Sequence, residues 1–171
     1  MHSDAVCSNR MGSHVVLIAI LTMVPVLSTA DTKFNPTGCE YTITFPGAPE
    51  IKNLYAQSVG EVESASYYGK DYFVKGECAP MQGPIKRDLA RKLMDQYVIQ
   101  NGLQYAVYEF SEDSLGYTIK VRGNKTIDTT PGTFVIVTHF GDRSFITLYA
   151  GAPSVNYPTG GILSFLRSCH R

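Results

Sequence analysis

The chain has 171 residues, with 15 lysines and arginines against 15 aspartates and glutamates, and is 44% hydrophobic and 18% charged. That balance leaves no basic excess to release counterions from a nucleic-acid backbone, and the sequence has no acidic tail or long run of one sign. Such a composition belongs to a folded chain rather than a disordered one.

The first thirty residues have the layout of an export signal. Met1 to His14 is polar and contains Arg10, and Val15 to Leu27 is apolar apart from Thr22 and Pro25. Ser28-Thr29-Ala30 then places small residues at the −3 and −1 positions of a cut after Ala30. The alternative is an uncleaved anchor. The apolar run is shorter than the roughly 20 residues needed to cross a bilayer, so residues 1–30 are expected to be a cleavable signal peptide, with translation starting at Met1 or Met11. Residues 31–171, about 140, suit one domain with a real core and no stable membrane span.

Removal of the leader takes Cys7 with it and leaves Cys39, Cys78 and Cys169. In an oxidising compartment this suggests one disulfide and one spare thiol. Cys39–Cys78 is favoured because both flank strands, whereas Cys169 sits in a C-terminal tail expected to fray. Cys169 as the alternative partner, or three buried thiols, stay open.

The elements follow from periodicity and turn chemistry. Residues 31–38 read as a polar lead-in. Tyr41–Phe45 alternates as a half-buried strand and stops at Pro46-Gly47. Strand-like runs follow at Ile51–Ala56, Val62–Tyr68 and Tyr72–Cys78, and then a Pro/Gly loop over 79–84. Pro84 suits the first turn of a helix whose apolar stripe is Ile85, Leu89, Leu93, Tyr97 and Val98, with Asn101-Gly102 as its stop.

Four more strand-like runs follow, Tyr105–Phe110, Tyr117–Arg122, Thr133–His139 and Arg143–Ala150. Gly123-Asn124 and Gly141-Asp142 read as turns, the second a tight hairpin. A short helix is expected from about Thr159. The last two strands are apolar on both faces and so need cover on both. These patterns predict an α+β domain with an antiparallel sheet of about six to seven strands flanked by helices.

Several of these features together resemble a bacterial exported domain. An initial strand ends in Phe-Pro-Gly-x-Pro (Phe45, Pro46, Gly47, Pro49), and a Tyr-rich hairpin and an amphipathic helix ending in Asn-Gly come after it. A later hairpin ends in Leu-Tyr-x-x-Gly-x-Pro (Leu148, Tyr149, Gly151, Pro153), before a closing Phe-Leu-x-Ser (Phe165, Leu166, Ser168). The resemblance covers residues 40–168. It implies a PsbP/Mog1-like α/β/α sandwich and export, and it supplies no catalytic residue.

Chemistry-bearing motifs are sparse. His139 and His170 are the two histidines after the leader, and Gly-x-Ser-x-Gly is absent. A nucleophile needs a base that is itself oriented, and His139, at a strand end, reads as a cap. Glu109, Glu112 and Asp113 lack the spacing of a calcium loop and read as a solvated turn. No cofactor, phosphate-loop or metal motif is present, and the Asn124-Lys125-Thr126 sequon matters only in a eukaryotic secretory pathway.

The candidate binding surface is the tyrosine cluster Tyr67, Tyr68 and Tyr72 together with the basic helix residues Arg91 and Lys92. The expectation is an exported, non-enzymatic binding or accessory domain that contacts another envelope or secreted protein, in the periplasm or outside the cell. The alternatives are a small secreted hydrolase with a loop-built site around His139, or a secreted inhibitor or effector that uses loop 79–84.

Overall fold

The computed structural model describes residues 30–56, 60–113, 115–127 and 129–171, so the expected leader lies outside the described residues except for Ala30. Among the described residues, nine strands and two helices run in the order β1 (Thr32–Phe34), β2 (Ile43–Phe45), β3 (Glu50–Ala56), β4 (Gly60–Tyr68), β5 (Phe73–Pro80), α1 (Arg87–Gln100), β6 (Gln104–Asp113), β7 (Gly116–Ile127), β8 (Thr130–Phe140), β9 (Ser144–Pro153) and α2 (Gly160–Arg167). The fold is α+β. β3-β4-β5-β9-β8-β7-β6 form a seven-stranded sheet, antiparallel throughout, and β1-β2 form a separate two-stranded sheet.

The chain lays down β3, β4 and β5 as a meander, crosses one face as α1 to the far edge, and returns through β6, β7, β8 and β9 to pair with β5. Alternation along the central strands separates two cores. On one face Phe134, Ile136, Phe145 and Tyr149 pack with Ala90 and Met94 of α1. On the other, Val135, Val137, Ile146 and Leu148 pack with Ile162 and Phe165 of α2 and with Phe34, Ile43 and Phe45 of β1 and β2. The double cover demanded by apolar residues on both faces of β8 and β9 is thus supplied by a helix on one side and a helix plus a small sheet on the other.

Local chemistry explains the helix ends. The α1 stop is a Schellman arrangement: Gly102 has φ 64°, its N–H donates to the Ile99 carbonyl at 3.0 Å, and the Leu103 N–H donates to the Val98 carbonyl at 3.0 Å. α2 starts where Thr159 Oγ1 accepts from the Ile162 N–H at 3.2 Å.

Five expectations are corrected. Thr32–Phe34 is a strand rather than lead-in, because it pairs with β2 and buries Phe34. β5 continues through Ala79 and Pro80, paired to β9, so the loop is shorter than 79–84. α1 starts at Arg87 rather than beside Pro84. Ala90 and Met94 are its fully buried residues, and of the expected stripe Ile85, Leu93, Tyr97 and Val98 pack partly buried beside them while Leu89 is 58% exposed.

Gly123-Asn124 is not a turn, since β7 runs on to Ile127. A Cβ on Gly123 would stand 3.0 Å from that of Leu103, so this glycine serves close packing rather than chain reversal. Finally, the C-terminal tail is pinned rather than frayed: the Thr42 and His170 backbones exchange hydrogen bonds of 2.8 and 2.9 Å.

Candidate functional site

α1 packs over β7 and leaves the β5 side of its face partly open, which creates a groove of about 450 Å³ between the helix and strands β5, β9 and β8. Leu54, Phe73, Leu93, Leu103, Phe134 and Phe145 give it apolar walls. Gln96 and Gln100 of α1 supply a polar rim.

The floor is polar, and strand register is what assembles it. β5 presents Lys75 and Glu77 opposite Tyr149 and Thr147 of β9, and β9 in turn sets Thr147 opposite Thr138 of β8. Alternation then sends all five side chains to the helix-covered face. Lys75 and Glu77 form an ion pair, with side chains 32% and 17% exposed. The Lys75 ammonium stands 5.5 Å from the centre of the Tyr149 ring. The Tyr149 hydroxyl is in polar contact with Glu77 and with the Tyr97 hydroxyl, and Tyr97 reaches Thr147. Thr147 and Thr138 share a hydrogen bond of 3.0 Å in the interior.

Burial raises the pKa of both phenols, and the carboxylate of Glu77 adds to the effect on Tyr149. Both therefore stay protonated at neutral pH and act as hydrogen-bonding groups. The groove offers an ammonium, a carboxylate and two hydroxyls at the bottom of an apolar slot. Sequence reasoning missed this set. Its one signal was the charged pair Lys75 and Glu77, spaced by two within a strand whose other face is Val74, Gly76 and Cys78.

The residues singled out from sequence are dispersed. Cys39 and Cys78 are disulfide-bonded with Cα atoms 6.2 Å apart, and Cys169 is a buried free thiol whose pKa burial pushes up to about 12. Tyr67 and Tyr72 lie on the face opposite the groove, with ring centroids 6.3 Å apart; Tyr67 covers Gly47 and Tyr72 covers Gly161. Tyr68 is on the groove face of β4, 73% exposed, with its ring 6.4 Å from that of Phe73.

Arg91 lies at the other end of the sheet. Its guanidinium stacks 3.7 Å from the Tyr108 ring of β6 and its Nε donates to Asp95 at 3.1 Å, while Lys92 faces solvent. β4 and β6 are separated by four intervening strands, so Tyr68 and Arg91 stand roughly 24 Å apart across the sheet. The five residues do not form one patch.

His139 is buried on the face away from the groove. Its Nδ1 is 2.8 Å from Thr118 Oγ1, its Nε2 has no hydrogen-bond partner, and burial lowers its pKa. It lines neither the groove nor the smaller cavity of about 330 Å³ beside the disulfide. Among the described residues no group of three or more His, Cys, Asp or Glu side chains could hold a metal ion, and no helix is long and apolar enough to cross a membrane. No protein-family model matches the chain and no curated protein matches it, so what the groove can do is argued from its residues.

Proposed function

We propose that the chain is an exported accessory domain, PsbP/Mog1-like in layout, that holds a small amphipathic molecule in the groove under α1. The observation that carries this reading is the combination of apolar walls with the Lys75–Glu77–Tyr149–Tyr97 floor in a groove of about 450 Å³. Small-molecule sites have about this size, are mostly apolar, and use a few placed polar groups to orient their ligand. Binding is favoured over hydrolysis because, among the described residues, the groove is lined by no serine, cysteine or histidine and His139 lies on the opposite face, so no nucleophile with an oriented base is assembled there. The Cys39–Cys78 disulfide supports an oxidising compartment.

The test is titration with anilinonaphthalene sulfonate, an anionic aromatic dye that brightens in apolar sites. Saturable binding is expected in the oxidised protein, weakened several-fold by Lys75→Ala and abolished by Leu93→Trp, which fills the groove. Circular dichroism should be unchanged in both variants. Absence of saturable binding, or binding indifferent to Leu93→Trp, would overturn the proposal.

A further inference from the structure

The two edges of the seven-stranded sheet are built differently. At the β6 edge a bulge sets Gln104–Val107 against Asn124–Arg122, one residue too many for even pairing. Tyr105, inside that bulge, has φ 52°, in the left-handed region. The rest of β6 carries Glu109, Glu112 and Asp113 and no basic residue, the first two paired with Lys120 of β7 and Arg87 of α1. Bulges and like charges are two of the devices by which proteins keep an edge strand from pairing with another chain.

β3, the opposite edge, has neither device. It runs unbroken in register with β4 from Glu50 against Ser66 to Ala56 against Gly60. No described strand pairs with its outer side. Its lysine, the residue type that most often guards an edge, is paired with Glu50 at 2.8 Å, so the strand is neutral. Three large apolar side chains stand out in solvent, Ile51 at 55%, Leu54 at 42% and Tyr55 at 81%. An open row of backbone donors and acceptors beside exposed apolar side chains is a template for one more strand.

We infer that this strand is β3 of a second copy, antiparallel about a two-fold axis at Asn53. The sequence Glu-Ile-Lys-Asn-Leu-Tyr-Ala is self-complementary in that register. Ile51 faces the partner's Tyr55, and the symmetry repeats the pair, which is a favourable aromatic and β-branched match. On the other face Lys52 lies across from the partner's Leu54, so its aliphatic stem covers the leucine. No two like charges stand directly opposite. Moving the axis to Lys52 would place the two lysines against each other, and the bulge at Gln104–Val107 breaks the even register that a second β6 would need. In the Asn53 register residues opposite one another share a face, so both α1 grooves open on the same side of one continuous sheet. Leu54 contributes to the groove wall as well as to this edge.

The experiment is sedimentation velocity on the oxidised chain, as wild type and as two charge variants, Ile51→Lys/Tyr55→Lys and Ile51→Glu/Tyr55→Glu. The wild type is expected at twice the monomer mass, dissociating on dilution. Each variant alone is expected at the monomer mass, with unchanged circular dichroism, because the altered side chains are exposed. An equimolar mixture of the two is expected to recover the dimer mass, since each lysine then faces a glutamate. Tyr55→Lys alone, also expected monomeric, serves if a double variant fails to fold.

A monomeric wild type, or a dimer that survives the lysine variant, would overturn the inference. A mixture that stays monomeric would overturn the register. Capture of an extended peptide by a monomeric wild type would give the edge to another partner and overturn the second copy.

Discussion

Arg171 donates to Glu40 Oε1 at 2.8 Å and so fastens the last residue of the chain to the segment just before β2. The same carboxylate accepts from the Arg143 amide at 2.7 Å and the Ser144 amide at 2.9 Å, at the β8–β9 hairpin. One side chain, 7% exposed, therefore holds together three stretches of chain that are distant in sequence.

Burial alone would raise the Glu40 pKa, but the amide and guanidinium donors outweigh it and hold the group at about 2. A carboxylate whose pKa is depressed by folding stabilises the native state above its unfolded value of 4.5, and that contribution is lost as pH falls toward 2. Glu40→Gln is expected to cost about 2 kcal/mol at neutral pH and almost nothing at the acid end of that window. Denaturant unfolding at the two pH values checks it; an equal loss at both would show that the charge is irrelevant.

His139 should give a separate pH dependence. It is neutral in the fold because burial lowers its pKa, with the charge of Asp113 acting in opposition. An unfolded histidine takes a proton below about pH 6.5, so stability falls as pH drops through that value, well above the Glu40 window. His139→Phe removes the slope and costs about 1 kcal/mol at neutral pH, because Thr118 loses its partner. Melting temperatures at about pH 7.5 and about pH 5.5 should diverge in the wild type and converge in the variant.

The Cys39–Cys78 bond closes a loop of sequence separation 39. Changing both residues to serine is expected to destabilise the fold by about 2–4 kcal/mol, read from denaturant midpoints without reductant. Cys169, buried and with its thiol pushed up to about 12, should resist alkylation in the native protein and react fully once unfolded. Rapid labelling of the native protein at Cys169 would contradict its burial.

Tyr105 holds a backbone conformation that asparagine tolerates better, and its side chain is 85% exposed. Tyr105→Asn is expected to raise stability by about 0.5 kcal/mol through relief of that conformation. Equilibrium unfolding decides the sign, and a loss of stability would mean that the exposed ring does more than cover the bulge.

What could be read from the chain was whatever its local chemistry determines. Thr159 and Gly102 mark helix ends because one side chain and one backbone conformation suffice to do so. The apolar residues on both faces of β8 and β9 announced two covering layers. Gly123-Asn124 misled because the same residue types serve turns and close approach. β1 was missed because three residues carry almost no periodicity until β2 lies beside them. The groove floor was illegible for a deeper reason: Lys75 and Glu77 meet Tyr149 only because β5 pairs with β9, about seventy residues later, across the α1 crossover.

The backbone bridge between Thr42 and His170 holds the C-terminal residues in the layer of β1, β2 and α2, opposite the α1 groove. A tag or surface linker attached after Arg171 would therefore approach from that layer. Immobilising the protein through it should leave the groove pointing outward, with its mouth accessible to molecules in solution.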